Sequence, residues 1–184
     1  MSLAKTPICN FGEKARDFSL KSTENKLVSI NDVKGENGTL IMFICNHCPY
    51  VKAIIKDIVE DVKFLEGLGI KSVAIMSNDV ENYPEDSFEN MISFSKIYGF
   101  TFPYLIDETQ NIAKNYGAVC TPDFFGYNKN LELQYRGRIR ELKDLKPVRS
   151  GDSDLRIAMG LIGKSGKGPA GQIPSMGCSI KWFK

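Results

Sequence analysis

Two kinds of apolar pattern alternate along this chain. From Thr39 to Ile44 the run Thr-Leu-Ile-Met-Phe-Ile is short, continuous and β-prone, which predicts a central strand buried on both faces. After Pro49, the residues Val51, Ile55, Ile58, Val62 and Leu65 recur at steps of four and three, predicting an amphipathic helix packed on a sheet and closed by Gly67 and Gly69. Ile70 to Met76 predicts the next buried strand. Phe88, Met91, Ser95 and Tyr98 share one face of a helix that follows the acidic stretch around Glu85 and Asp86 and stops at Gly99. Pro103 to Ile106 reads as a short strand, and Asp107-Glu108-Thr109-Gln110 can cap a helix reaching Tyr116 before Gly117.

Thr121 to Tyr127 and Leu131 to Arg136 read as two strands joined by the turn Asn128-Lys129-Asn130, a hairpin at the end of the sheet. Asp17 to Leu20 and Lys26 to Ser29 suit an added N-terminal hairpin. Residues 141–151 are polar and expected to be loop, Asp152 or Ser153 can cap a last helix to about Ile162, and residues 163–184 are expected to form an extended tail over the surface. The strand-helix order predicts an α/β fold, a single domain over residues 1–184 with a central mixed β-sheet flanked by helices.

The 184 residues are 42% hydrophobic and 25% charged, enough to bury a substantial core. The 24 basic and 22 acidic residues are dispersed, so no charged patch points to nucleic acid or to an anionic membrane. No apolar run approaches a membrane span, and the first fifteen residues lack a basic stretch followed by an apolar one. Unless a leader once preceded Met1-Ser2-Leu3, the expected location is the cytoplasm. Five cysteines with a single close pair, Cys45 and Cys48, do not resemble the paired framework of a small secreted protein.

The close pair carries the candidate chemistry. In Ile44-Cys45-Asn46-His47-Cys48-Pro49 a strand ends at a cysteine and a helix follows, which sets Cys45 near unpaired backbone N–H groups that favour a thiolate. Cys45 is therefore expected to be the nucleophile of disulfide exchange and Cys48, one helical turn on, the resolving thiol. His47, the only histidine, is expected to tune the pair by stabilising the Cys45 thiolate. The same spacing also serves as half of a zinc site, but Cys120 and Cys178 form no second close pair, and neither metal nor cofactor is expected.

Cys45-Asn46-His47-Cys48 together with Tyr116-Gly117-Ala118-Val119-Cys120-Thr121-Pro122-Asp123-Phe124-Phe125 resembles the thioredoxin-like redoxins related to AhpC/TSA, in particular a peroxiredoxin-like branch with a Cys-x-x-Cys pair. The opening Gly12 to Leu20 resembles the redoxin start, with Arg16 where proline is usual, and Gly177-Cys178-Ser179-Ile180-Lys181-Trp182 resembles that branch's C-terminal signature. The resemblance implies a thioredoxin-like fold and a cis bond between Thr121 and Pro122 facing the cysteine pair. It also implies pairing of the substrate chain with the backbone there, so that Thr121 and Pro122 bind substrate. Protein or small-molecule disulfides and an external thiol electron donor are the implied partners.

Departures from the pattern narrow this reading. Thr39 stands where thioredoxins keep a buried acid, and Ile44 replaces the usual aromatic residue before the first cysteine. Peroxiredoxins place a proline and a Thr or Ser eight and four residues before the reactive cysteine. Those offsets hold Asn37 and Ile41 before Cys45, and Leu40 and Ile44 before Cys48. Thiol peroxidase activity is thus the second enzyme reading, and a redox-sensing or zinc-binding module the non-enzyme one. Cys120 and Cys178 are candidate additional redox thiols, Cys120 otherwise being a small buried hydrophobe. Cys9 lies in a start expected to be flexible and is given no role. The run Ala158 to Ser165 satisfies the loosest phosphate-loop pattern, but it ends a helix instead of opening one, so no nucleotide is expected.

Overall fold

The computed structural model describes residues 2–184. Strand β1 (Leu3–Lys5) precedes the hairpin β2 (Ser19–Ser22) and β3 (Leu27–Ser29), the short helix α1 (Ile30–Val33) and strand β4 (Gly38–Phe43). Helix α2 (Pro49–Glu66), strand β5 (Ile70–Met76), helix α3 (Phe88–Ile97), strand β6 (Tyr104–Ile106) and helix α4 (Asn111–Tyr116) follow. The second half holds β7 (Cys120–Thr121), β8 (Asp123–Asn128), β9 (Leu133–Tyr135), β10 (Leu142–Lys143), β11 (Lys146–Pro147), α5 (Asp154–Ser165) and β12 (Met176–Ser179).

Seven strands form a mixed sheet in the order β3-β2-β6-β5-β4-β8-β9, with β4, β5 and β6 mutually parallel and the other neighbours antiparallel. All six residues of β4 are buried because both faces of the sheet are covered, which is why its sequence shows no polar alternation. Leu40 and Met42 point into a core shared with α2, α3 and α5, whereas Ile41 and Phe43 point into a second core shared with α1 and α4. The stripe on α2 is fully buried at Val51, Ile54, Ile55, Ile58, Val62 and Leu65, each side chain contributing roughly 1.5–3 kcal/mol. That packing fixes the start of α2 at the end of β4, where the cysteine pair lies.

Most elements fall where the periodicities place them. The polar stretch 141–151 differs, since it contains the small hairpin β10-β11. The strand expected over Thr121 to Tyr127 is divided by Pro122, whose missing N–H cannot continue a ladder. The expected flexible start instead forms β1, paired with β12. The tail is extended, but it does more than cover the surface: β12 lies between β1 and β7 in a separate three-stranded sheet. Partners so distant in sequence leave no local periodic signal. Among the described residues, no helix is long and apolar enough to cross a membrane.

Candidate active site

The cysteine motif is the link between β4 and α2. Ile44 N–H still donates to the Ile75 carbonyl (3.1 Å), after which the chain leaves the sheet at Cys45. Pro49 occupies the first helical position, where no N–H is needed, and Cys48 is the N-cap residue. The helix N-terminus therefore lies at Cys48, whose side chain makes no capping hydrogen bond, and not at Cys45 as the spacing alone suggests.

Both thiols meet the loop that precedes β8. The Thr121–Pro122 bond is cis, as the family resemblance implies. Thr121 Oγ1 lies 3.4 Å from Cys45 Sγ, and the Cys48 thiol donates to the Thr121 carbonyl oxygen (3.2 Å). Cys45 and Cys48 are 1% and 0% exposed, so both residues are buried.

Cys48 is held well below the ordinary thiol range by a hydrogen bond from Cys45, then by the Cys178 side chain and N–H and the Val51 N–H, against the cost of burial. The Thr121 carbonyl is a neighbour that opposes this charge. Cys45 is pushed up by sharing its proton with Cys48, by burial and by the Asp86 carboxylate, with Thr121 acting the other way. This direction runs against the expectation of a resting Cys45 thiolate, since burial and the Asp86 carboxylate disfavour charge there.

Asp86 is the site residue that the sequence did not reveal. It is fully buried in the turn before α3 and accepts from Asn46 N–H (2.7 Å), His47 N–H (3.3 Å) and Asn78 Nδ2 (2.8 Å). Its Oδ2 also lies 2.6 Å from His47 Nδ1, and this bond leads the causes that raise the His47 pKa, against burial of the ring. The His47 ring lies parallel to Tyr83, with centroids 5.7 Å apart. Asn46 is fixed from its other end by Tyr104, whose hydroxyl donates to Oδ1 (2.9 Å). The backbone between the two cysteines is thus held by a buried carboxylate from a different segment.

One donor atom each of Cys45, His47 and Asp86 lies within 4.8 Å of the other two. His47 therefore faces Cys45 as half of an ion pair, and Asp86 cancels much of the positive charge it would otherwise offer the sulfur. These three could ligate a metal, but both Asp86 oxygens already accept protein N–H groups, and Cys48 is not in the group.

The remaining cysteines separate by geometry. Cys178 stands directly opposite Thr121 in the β7-β12 pair, is buried in the same core as Cys48, and is pushed up to about 12, burial being the largest cause. Cys120 is one residue from Thr121 and so projects to the other face of β7, where its thiol donates to the Pro122 carbonyl (3.6 Å) and burial raises its pKa. Cys9 is partly buried against the second core, and burial pushes its thiol up to about 11.

The other singled-out positions are structural. Thr39 is buried and accepts from Gly35 N–H (3.1 Å). Asn37 donates to the Leu68 carbonyl (2.8 Å) at the far end of β4, and Leu40, Ile41 and Ile44 are core residues. Ala158 to Ser165 lies wholly within α5.

Comparison with known proteins agrees with this architecture. The thioredoxin domain of a thiol-disulfide oxidoreductase from Bacteroides vulgatus superposes with a TM-score of 0.58 at 13% identity, over 68% of this chain and 86% of that one, and the fold is thioredoxin-like. The model of the AhpC/TSA family matches residues 11–142, and the chain belongs to that family. An uncharacterised conserved protein of Geobacillus kaustophilus is 39% identical, with a TM-score of 0.94 over 100% of this chain and 97% of that one. A hypothetical protein of Sinorhizobium meliloti is 36% identical, with a TM-score of 0.89 over 97% of both chains. No curated protein matches the sequence.

Proposed function

We propose that this chain is a cytoplasmic thiol-disulfide oxidoreductase in which Cys45 and Cys48 cycle between a dithiol and a disulfide, acting on protein or small-molecule disulfides. The observation that carries the reading is the convergence of both sulfurs on Thr121 at the entrance to α2, Cys45 Sγ 3.4 Å from its hydroxyl and Cys48 Sγ 3.2 Å from its carbonyl oxygen. Membership of a redoxin family supports redox chemistry in general, and cysteines without a disulfide framework suit a reducing compartment.

In the proposed cycle the pair holds one proton between two sulfurs. When substrate reaches Cys45, that proton moves to Cys48, and the Cys45 thiolate attacks one sulfur of the substrate disulfide. The other substrate sulfur leaves and takes the proton from Cys48. Cys48 then attacks the Cys45 sulfur of the mixed disulfide, releasing the second substrate thiolate and leaving a Cys45–Cys48 disulfide. Two electrons have passed to the substrate, and an external dithiol restores the pair. The His47–Asp86 ion pair positions the intervening backbone, and Thr121 and Pro122 meet substrate through their side chains and not by strand pairing, because β12 already occupies the β7 edge.

Reduction of a model disulfide by the wild-type chain, with dithiothreitol as donor, tests this directly. Multiple turnover is expected, with loss of turnover in both Cys45→Ser and Cys48→Ser. A single oxidation without cycling, or stoichiometric zinc bound by the wild type, would contradict the reading.

A further inference from the structure

The strand that carries Cys178 occupies the β7 edge on which a partner strand would pair. Cys178 is opposite Thr121, and directly opposed residues of an antiparallel pair project to the same face. Thr121 Oγ1 contacts Cys45, so the Cys178 thiol is on the motif side, and it is buried in the same core as both motif cysteines. Gly177 seats the strand: a β-carbon there would collide with the Thr121 carbonyl oxygen, so only glycine allows this close approach. Ser175 and Thr6 anchor the approach to β12, with Ser175 Oγ donating to the Pro122 carbonyl (2.9 Å) and Ser175 N–H to Thr6 Oγ1 (3.0 Å).

Three cysteines are thereby gathered around Thr121, Cys45 on its hydroxyl, Cys48 on its carbonyl oxygen and Cys178 opposite it in the neighbouring strand, all in one core. Thiol-disulfide exchange requires a third thiol beside the disulfide sulfur under attack. We propose that Cys178 is the third thiol of the exchange site: it attacks Cys48 of the Cys45–Cys48 disulfide, forming a Cys48–Cys178 disulfide and releasing Cys45. The Cys178 proton passes to Cys45, no electrons leave the protein, and no further reactant is consumed. The exchange returns a reduced Cys45 and ties β12 covalently to the start of α2.

The inference rests on the dithiol reading above, and disulfide mapping separates the two. The wild type, Cys178→Ser and Cys45→Ser proteins are oxidised with oxidised glutathione, quenched in acid, alkylated, digested and mapped by mass spectrometry. Oxidised wild type is expected to yield both Cys45–Cys48 and Cys48–Cys178 peptides, Cys178→Ser only the first, and Cys45→Ser only the second. Absence of the Cys48–Cys178 peptide from oxidised wild type overturns the three-thiol relay whatever the variants show, and a retained Cys45–Cys48 bond then leaves the dithiol reading standing. Absence of the Cys45–Cys48 bond from both wild type and Cys178→Ser overturns both.

Discussion

Asp86 Oδ2 lies 2.6 Å from His47 Nδ1, so the only histidine of the chain sits between Cys45 and Cys48 already paired with a buried carboxylate. The pairing sets the protonation of His47 and holds the motif backbone through the same side chain.

Asp86→Asn keeps the shape of the side chain but removes its charge. The His47 pKa is expected to fall towards the ordinary value of about 6.5, as followed by NMR of the single imidazole. Because the folded value is raised in the wild type, the stability His47 contributes is fully present below the ordinary histidine pKa and is lost as pH rises through the raised one. The variant should therefore lose about 1.5–3 kcal/mol in the acid range, with the deficit shrinking above the wild-type His47 pKa in urea melts. A histidine titration unchanged by the substitution would show that Asp86 does not set its charge.

Thr121→Val preserves the β-branched shape and the backbone while removing the hydroxyl 3.4 Å from Cys45 Sγ. That hydroxyl lowers the Cys45 pKa, so its loss should slow exchange with a model disulfide at neutral pH. A net hydrogen-bond worth of about 1 kcal/mol corresponds to a roughly fivefold slower second-order rate. An unaltered rate would remove the Thr121 side chain from the chemistry.

Asp123 follows the cis-proline, is fully buried and is pushed up to about 6 by burial, with Arg136 opposing that rise through a 3.0 Å ion pair. Arg136→Ala leaves this carboxyl unpaired, at an expected cost of about 3–5 kcal/mol near neutral pH. The Asp123 pKa should rise further in the variant. A carboxyl with a raised folded pKa contributes stability that is complete below its ordinary value and lost as pH rises through the folded one. The deficit measured by denaturant melts should accordingly be larger at about pH 8 than at about pH 5, and a deficit independent of pH would contradict the assignment.

Most of the frame was legible because it is local. The uninterrupted apolar run of β4 and the stripe of α2 each encode an element and its buried face, and their junction places Cys45 and Cys48. Thr121 and Pro122 were found through the family resemblance, and the structure brings Thr121 to both sulfurs. What was not legible depends on long-range contact. Asp86 reads as a helix-start acid, and nothing near it announces a partner 39 positions away at His47. Likewise, a Gly- and Pro-rich tail gives no hint that Met176–Ser179 will pair with Cys120–Thr121, since only the fold brings that edge within reach.

The dithiol mechanism is tested most directly by titrating the chain against defined ratios of reduced and oxidised glutathione and reading the Cys45–Cys48 bond by mass spectrometry at each ratio. A reversible bond with a two-electron midpoint is expected, a tenfold change in the equilibrium constant spanning about 30 mV. A pair that never forms this bond at any ratio would contradict the assignment of Cys45 and Cys48 as the redox centre.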